Sequence, residues 1–220
     1  MMFAYPLILA AAIAAPATPR VATALDAERV FAADARRNGQ WSAFRRWADP
    51  TAVMFTPQAV WARDYLKGRK DPPQSVQWST AKSWASCDQR TAVNTGPWRN
   101  AGTNGYFTTL WMRQKSGDWR WTVDGGDALK TPLATPRRPA VRRADCGGGA
   151  LRNRLIEAEY ARPINSTAPP GDSGFQRSAD GTLLYQWRVE ANGARQTRVR
   201  LWTGRQFTTV LDQKVASEAR

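Results

Sequence analysis

The chain has 220 residues, enough to bury a core in one ordinary domain with a small appendage. It carries 32 basic against 18 acidic side chains, a formal charge of +14, and eleven tryptophans but no histidine. The missing histidine removes the commonest general base, the commonest metal ligand and the usual partner of a Ser or Cys nucleophile, so any chemistry falls to carboxylates, Tyr, Lys or Arg.

Residues 1–24 read as an export signal. Phe3 to Ala15 is uncharged and apolar, and two small-residue cleavage sites follow, Ala15-Pro-Ala17 and the favoured Ala22-Thr-Ala24. Pro6, Pro16, Pro19 and Arg20 interrupt the run, which argues against a membrane span. The expected location is therefore periplasmic or extracellular. In that oxidising setting Cys87 and Cys146, the two cysteines of the chain, are expected to form a disulfide.

Asp26 is a candidate cap for a first helix, with Val30, Phe31 and Asp34 on one side, ended by Asn38-Gly39. Trp41, Phe44, Trp47 and Ala48 recur at helical spacing and predict a second helix closed by Asp49-Pro50. Ala52 to Phe55 reads as a strand, and Trp61, Ala62, Tyr65 and Leu66 as a short third helix ended by Gly68. Four strands follow at Ser75 to Cys87, Thr91 to Trp98, Gly105 to Gln114 and Trp119 to Asp124, separated by turn-forming residues. Asp124-Gly-Gly-Asp127 is read as a turn at the end of the last of them.

Residues 131–149 form a basic, Pro- and Gly-rich linker containing Arg137, Arg138, Arg142 and Arg143, expected to be extended and solvated. Residues 150–220 begin with a helix to Tyr160 and continue as a small β-rich extension. Its strands are expected at Leu183 to Glu190, Arg195 to Trp202 and Arg205 to Leu211, with turns at Asn192-Gly193 and Thr203-Gly204. Leu183, Tyr185, Trp187 and Val189 share one face and Arg188, Arg198 and Arg200 line another, so the apolar face needs a cover from the first domain or another chain. Together these elements give an α+β fold with an antiparallel sheet.

The order of elements from Ala27 to Ala128 carries a resemblance: Glu28-Arg-Val-Phe-Ala-Ala-Asp34, Trp41-Ser-Ala-Phe-Arg-Arg-Trp47, the strand Ala52-Val-Met-Phe55 and the closing Trp119-Arg-Trp-Thr-Val-Asp-Gly-Gly-Asp127. It resembles the nuclear-transport-factor-2-like superfamily, with its SnoaL-like and ketosteroid-isomerase-like members. The resemblance implies helices packed on a curved antiparallel sheet to form a cone with an apolar pocket, over residues 25–130. Many relatives carry a His at the close of the last strand, where this chain has Gly125 and Gly126.

The pocket candidates follow. Asp124, Asp34, Tyr65 and Tyr106 are the candidates for catalysis, because burial of a carboxyl beside apolar walls raises its pKa toward that of a useful base. Trp47, Phe55, Trp78, Trp84 and Trp111 are the candidate ligand-binding aromatics. Asp34 has a plainer reading, as a surface residue paired with Arg37 or Arg113. Ser79-Thr-Ala-Lys82 has the spacing of penicillin-binding enzymes but sits in a strand pattern, without that family's companion motifs. No metal-ligand pattern and no cofactor motif is present, so no cofactor is expected.

The leading function is noncatalytic binding of a small apolar or aromatic molecule, or a structural envelope role. The alternatives are an isomerase, dehydratase or hydrolase using a pocket Asp, and an interaction module built on the Arg-rich extension. Among partners, specific nucleic-acid recognition is not expected, an anionic envelope surface is a candidate through charge alone, and a homodimer remains open.

Overall fold

A computed structural model describes residues 21–159 and 171–217. Most of the export segment and the end of the helix expected to reach Tyr160 lie outside the described residues. The order is α1 (Ala24–Asn38), α2 (Gln40–Trp47), β1 (Ala48–Phe55), β2 (Ala59–Trp61), α3 (Ala62–Leu66), β3 (Gln77–Trp78), β4 (Lys82–Ala85), β5 (Thr91–Asn100), β6 (Thr103–Arg113), β7 (Trp119–Ala128) and β8 (Ala140–Arg143). Then come α4 (Gly149–Glu159), β9 (Ser173–Arg177), β10 (Leu183–Val189), β11 (Arg195–Trp202) and β12 (Phe207–Val215).

Helix α1 is capped by Thr23 rather than Asp26. Thr23 Oγ1 accepts the Asp26 amide at 3.1 Å, while the Asp26 carboxylate accepts the Thr23 amide at 3.2 Å, a reciprocal box that satisfies two N-terminal donors. The buried face runs through Ala24, Ala27, Glu28, Phe31 and Ala35, so Val30 lies off it. Helix α2 starts immediately after Gly39, whose φ is 96° and which has no side chain to cap with. The cap comes from a distance: Asp71 accepts the Ser42 amide at 2.9 Å and the Ser42 hydroxyl at 2.6 Å. A Cβ on Gly39 would lie 2.3 Å from the Asp71 carboxyl, so glycine is needed there for space as well as backbone angle.

The larger sheet has the order β2-β1-β7-β6-β5-β4-β8, with β3 also paired to β5. Most neighbours are antiparallel, while β1 with β7 and β4 with β8 are parallel. Trp61 ends β2, opposite Val53, instead of opening the third helix. The strand expected over Ser75 to Cys87 is broken into β3 and β4, both of which lie along the long β5. At the break the chain passes so close to β5 that a Cβ on Gly96 would sit 2.1 Å from the Ser79 carbonyl oxygen.

One face of this sheet packs against the helices. There Phe31 meets Phe44 at a ring separation of 4.8 Å, Trp78 at 5.0 Å and Trp111 at 5.9 Å. These edge-on contacts each add about 0.5–1.5 kcal/mol to what burial of the rings supplies. The opposite face, Val53, Trp84, Val93, Leu110 and Val123, is covered by the second sheet, of order β12-β11-β10-β9, through Leu183, Tyr185, Trp187, Val189, Val199 and Leu201. The result is three layers: helices, the larger sheet and the smaller sheet that covers it. A fourth strand, β9, precedes the three expected in the extension, and β12 starts at Phe207 rather than Arg205.

The basic segment is not wholly an extended tether. Ala140–Arg143 joins the large sheet as a parallel edge strand on β4, and Ala144 is buried in the second core. Cys146 is bonded to Cys87 with a Cα separation of 5.3 Å, as the sequence suggested, and the Cys87 amide donates to Thr182 Oγ1 at 2.8 Å. The Arg-rich face of the extension is paired: Arg198 with Asp212 at 3.0 Å, Arg188 with Glu190 at 3.1 Å, and Arg200 over the Phe207 ring. No helix among the described residues is long and apolar enough to cross a membrane.

Candidate functional site

A cavity of about 350 Å³ opens between the helices and the far ends of β5, β6 and β7. Its inner wall is aromatic and aliphatic, with Phe31, Phe44, Met54, Phe55, Trp78 and Phe107. Gln40, Asn100, Thr103 and Asp127 make the rim more polar. Asp124 reaches the cavity from β7.

Asp124 does not stand on a turn. Residues 124–127 continue β7, paired with β6 as Thr109↔Asp124, Thr108↔Gly125, Phe107↔Gly126 and Tyr106↔Asp127. The glycines serve close packing: a Cβ on Gly126 would lie 2.1 Å from the Tyr106 carbonyl oxygen, and one on Gly125 would lie 2.9 Å from the Phe55 ring. The strand therefore runs on past Asp124 as paired sheet, with the Phe55 ring packed over Gly125.

The Asp124 carboxylate accepts the Thr109 hydroxyl at 2.6 Å. The residue is half-buried with its remaining exposure facing the cavity, and desolvation of the carboxyl outweighs that hydrogen bond and pushes its pKa up to about 7. A second acid, unnoticed in the sequence, sits beside it. Glu28 on α1 is 2% exposed and accepts the indole N–H groups of Trp111 at 2.7 Å and Trp78 at 2.8 Å, and the Asn94 amide at 3.3 Å. Burial raises Glu28 to about 7 against the pull of the three donors, and the charge of Asp124 adds to the rise. Asn94, Thr109 and Asp124 are successive cross-strand partners on β5, β6 and β7. They form a polar row on the helix-facing side of an otherwise apolar sheet.

Of the aromatic candidates, Phe55 and Trp78 line the cavity. Trp111 is fully buried behind it as a donor to Glu28. Trp84 lies on the opposite face, in the core beneath the second sheet. Trp47 is beside the cavity aromatics but points its N–H at Asp34, at 3.0 Å. Phe31, Phe44 and Phe107 are lining residues outside the candidate set, although the first two sat on faces read as inward.

The polar candidates separate in the same way. Tyr106 lines the cavity, and burial together with Asp127 raises its pKa, which keeps the phenol protonated. Asp34 is outside the cavity, held by Arg46 at 2.8 Å rather than by Arg37 or Arg113. Its hydrogen bonds from Arg46, Asn38 and Trp47 outweigh its desolvation and lower its pKa, which removes it as a neutral-pH base. Tyr65 is also away from the cavity, with the Arg69 guanidinium 4.0 Å above its ring. No group of three or more potential metal-ligating side chains occurs among the described residues.

The second sheet reaches this site from behind. Arg195 of β11 is 8% exposed, donates to the Gly126 carbonyl at 2.7 Å and lies 4.5 Å over the Phe55 ring. Both of its contacts are cavity-wall residues.

No family model and no curated protein matches the sequence. Among solved structures, the chain is similar to a protein provisionally named a ketosteroid isomerase from Parabacteroides distasonis. The identity is 15% and the TM-score 0.40, over 48% of this chain and 88% of that one. It is also similar to the CaMKII hub of S. rosetta, at 16% identity and a TM-score of 0.37, over 52% of this chain and 100% of that one.

Proposed function

We propose that this nuclear-transport-factor-2-like cone is an exported binder of a small aromatic or apolar molecule that carries one hydrogen-bonding group, which meets Asp124. The observation that supports it is a carboxyl opening into a cavity whose inner wall is otherwise rings and aliphatic groups. The volume of about 350 Å³ lies at the low end of ordinary ligand pockets, which suits one or two fused rings. The disulfide fits an oxidising compartment.

A second reading, proton transfer on the bound molecule, is favoured by one property of Asp124. A carboxyl near 7 is present in both protonation states at neutral pH, the condition under which a general acid or base works best. Tyr106 at the cavity wall would then donate a hydrogen bond to the developing charge. Asp124→Asn separates the readings: weakened binding of donor-bearing ligands with no turnover to lose supports a binder, and turnover abolished while binding persists supports the enzyme. An interaction role for the Arg-rich face is less well supported, because those side chains are already engaged within the sheet. A homodimer, if formed, has to use a surface other than the sheet face that the second sheet covers.

A further inference from the structure

A separate cleft of about 380 Å³ lies along one flank of α1, between it, the break after β3 and residues 136–139. Its floor includes Trp78 and the edge of Glu28, and its sides carry Arg29 and Arg36 from α1, Ser79 and Thr80 from the break between β3 and β4, and Arg137 from the basic segment. Arg29 and Arg36 are seven residues apart on one helix, so they stand on the same face about 10 Å from each other. Arg137 is flanked by Pro136 and Pro139, both of which line the cleft and stiffen the segment that carries it.

The charges in this cleft are incompletely answered. Arg29 is paired with Asp26 at 3.1 Å, but among the described residues neither Arg36 nor Arg137 has an acidic partner, and the hydroxyls of Ser79 and Thr80 make no hydrogen bond. Glu28 supplies no counter-charge there, because its carboxyl is turned to Trp78, Trp111 and Asn94. We infer that this cleft is a binding site for a phosphate- or sulfate-type anion. Arginines contributed by two segments, together with two hydroxyl residues that line the same cleft, present more donors than the two oxygens of a carboxylate accept. A tetrahedral oxyanion offers three or four acceptors in divergent directions and matches the guanidinium fork. The inference is independent of the aromatic cavity and survives if that cavity proves empty.

The test is calorimetric titration of inorganic phosphate, and separately sulfate, into the full chain at fixed ionic strength set with chloride. Saturable binding to one site is expected, weakened roughly tenfold or more in Arg36→Gln and in Arg137→Gln, since each removes a charge-assisted contact. Arg63→Gln removes an equal charge from a remote exposed position and is expected to change nothing. Absence of saturable binding, or equal weakening in Arg63→Gln, overturns the site and leaves only net charge. Sedimentation with phosphatidic acid vesicles against phosphatidylcholine vesicles then distinguishes sources of the anion. Vesicle binding lost in Arg137→Gln points to a lipid headgroup, and phosphate binding without vesicle binding points to a soluble ligand.

Discussion

Trp111 donates its indole N–H to Glu28 at 2.7 Å, across a separation of 83 residues, and both side chains are cut off from bulk water. A fully buried carboxyl on an aromatic helix face is expensive unless its oxygens are occupied. Here three donors occupy them, so the acid and the donors depend on one another.

Glu28→Ala should therefore destabilise the fold by about 2–4 kcal/mol, because it leaves two indole N–H groups unpaired, takes one of the two acceptors of the Asn94 amide and opens a void. Glu28→Gln keeps the volume and one acceptor, so a smaller loss is expected. Urea unfolding of the two variants gives the comparison. Equal stability of Glu28→Ala and the parent would mean that the buried acid is not integral to the core.

The pH dependence of stability has a defined sign. Glu28 and Asp124 hold their protons to about 7 in the folded chain but release them near 4.5 and 3.8 when unfolded. Their contribution is full below the unfolded values and is lost as pH rises through about 7, on the order of 3 kcal/mol for Glu28 and on the order of 4 kcal/mol for Asp124. Asp34, Asp71, Asp180 and Asp212 have lowered pKa values and act the other way, but their contribution is lost only on acidification below their ordinary carboxylate range. Thermal midpoints should fall between pH 5 and pH 8, and Asp124→Asn should flatten the fall. A midpoint that rises over this interval contradicts the assignment.

Arg195 links the cover sheet to the cavity wall through Gly126 and Phe55. Replacing a buried cation by a flexible apolar chain is often close to neutral for stability, so Arg195→Met should unfold within about 1–2 kcal/mol of the parent. Amide exchange at Gly125 to Asp127 should nonetheless accelerate, because that stretch of β7 loses its support from behind. Unchanged exchange there would reduce Arg195 to a packing residue.

The favoured cleavage after Ala24 conflicts with what the fold uses. Thr23 caps α1, the Ala24 carbonyl accepts the Asn94 amide at 3.0 Å, and Val21 packs on the first core. A chain beginning at Leu25 should be less stable than one beginning at Thr18 by about 1–2 kcal/mol from the lost cap alone. If the chain is exported, these contacts favour processing at Ala15-Pro-Ala17 over Ala22-Thr-Ala24, and the intact mass of secreted protein decides between the two.

Much of this architecture is written in local pattern. The spacing of Trp41, Phe44 and Trp47 marks α2, and the alternation along Arg195–Trp202 gives β11 with its bounds. The pairing of Cys87 with Cys146 needed no geometry once an oxidising setting was assumed. What escaped depends on distant partners. Strand β8 is four residues of basic edge whose sole reason to extend is β4, and Asp124-Gly-Gly-Asp127 has turn composition but is held straight by β6. Glu28 lies next to Arg29 and reads as solvated. Its position one helical turn before Phe31 and Ala32, on the stripe of Ala24, Ala27 and Ala35, was the available signal. Even so, the Trp78, Asn94 and Trp111 donors that make its burial tolerable are 50 to 83 residues away.

A ligand cavity ending on Asp124 can be probed by saturation-transfer NMR of a set of one- and two-ring aromatic fragments against the full chain and against Ala128→Trp. Ala128 is exposed at the rim of the cavity, so an indole there should close the opening without disturbing the core. Fragments should bind the parent and be lost from Ala128→Trp, with Asp124→Asn weakening those that carry a hydrogen-bond donor and sparing those that do not. Fragments that bind Ala128→Trp as well as they bind the parent, or an absence of binding to a folded parent, would contradict this cavity as the site.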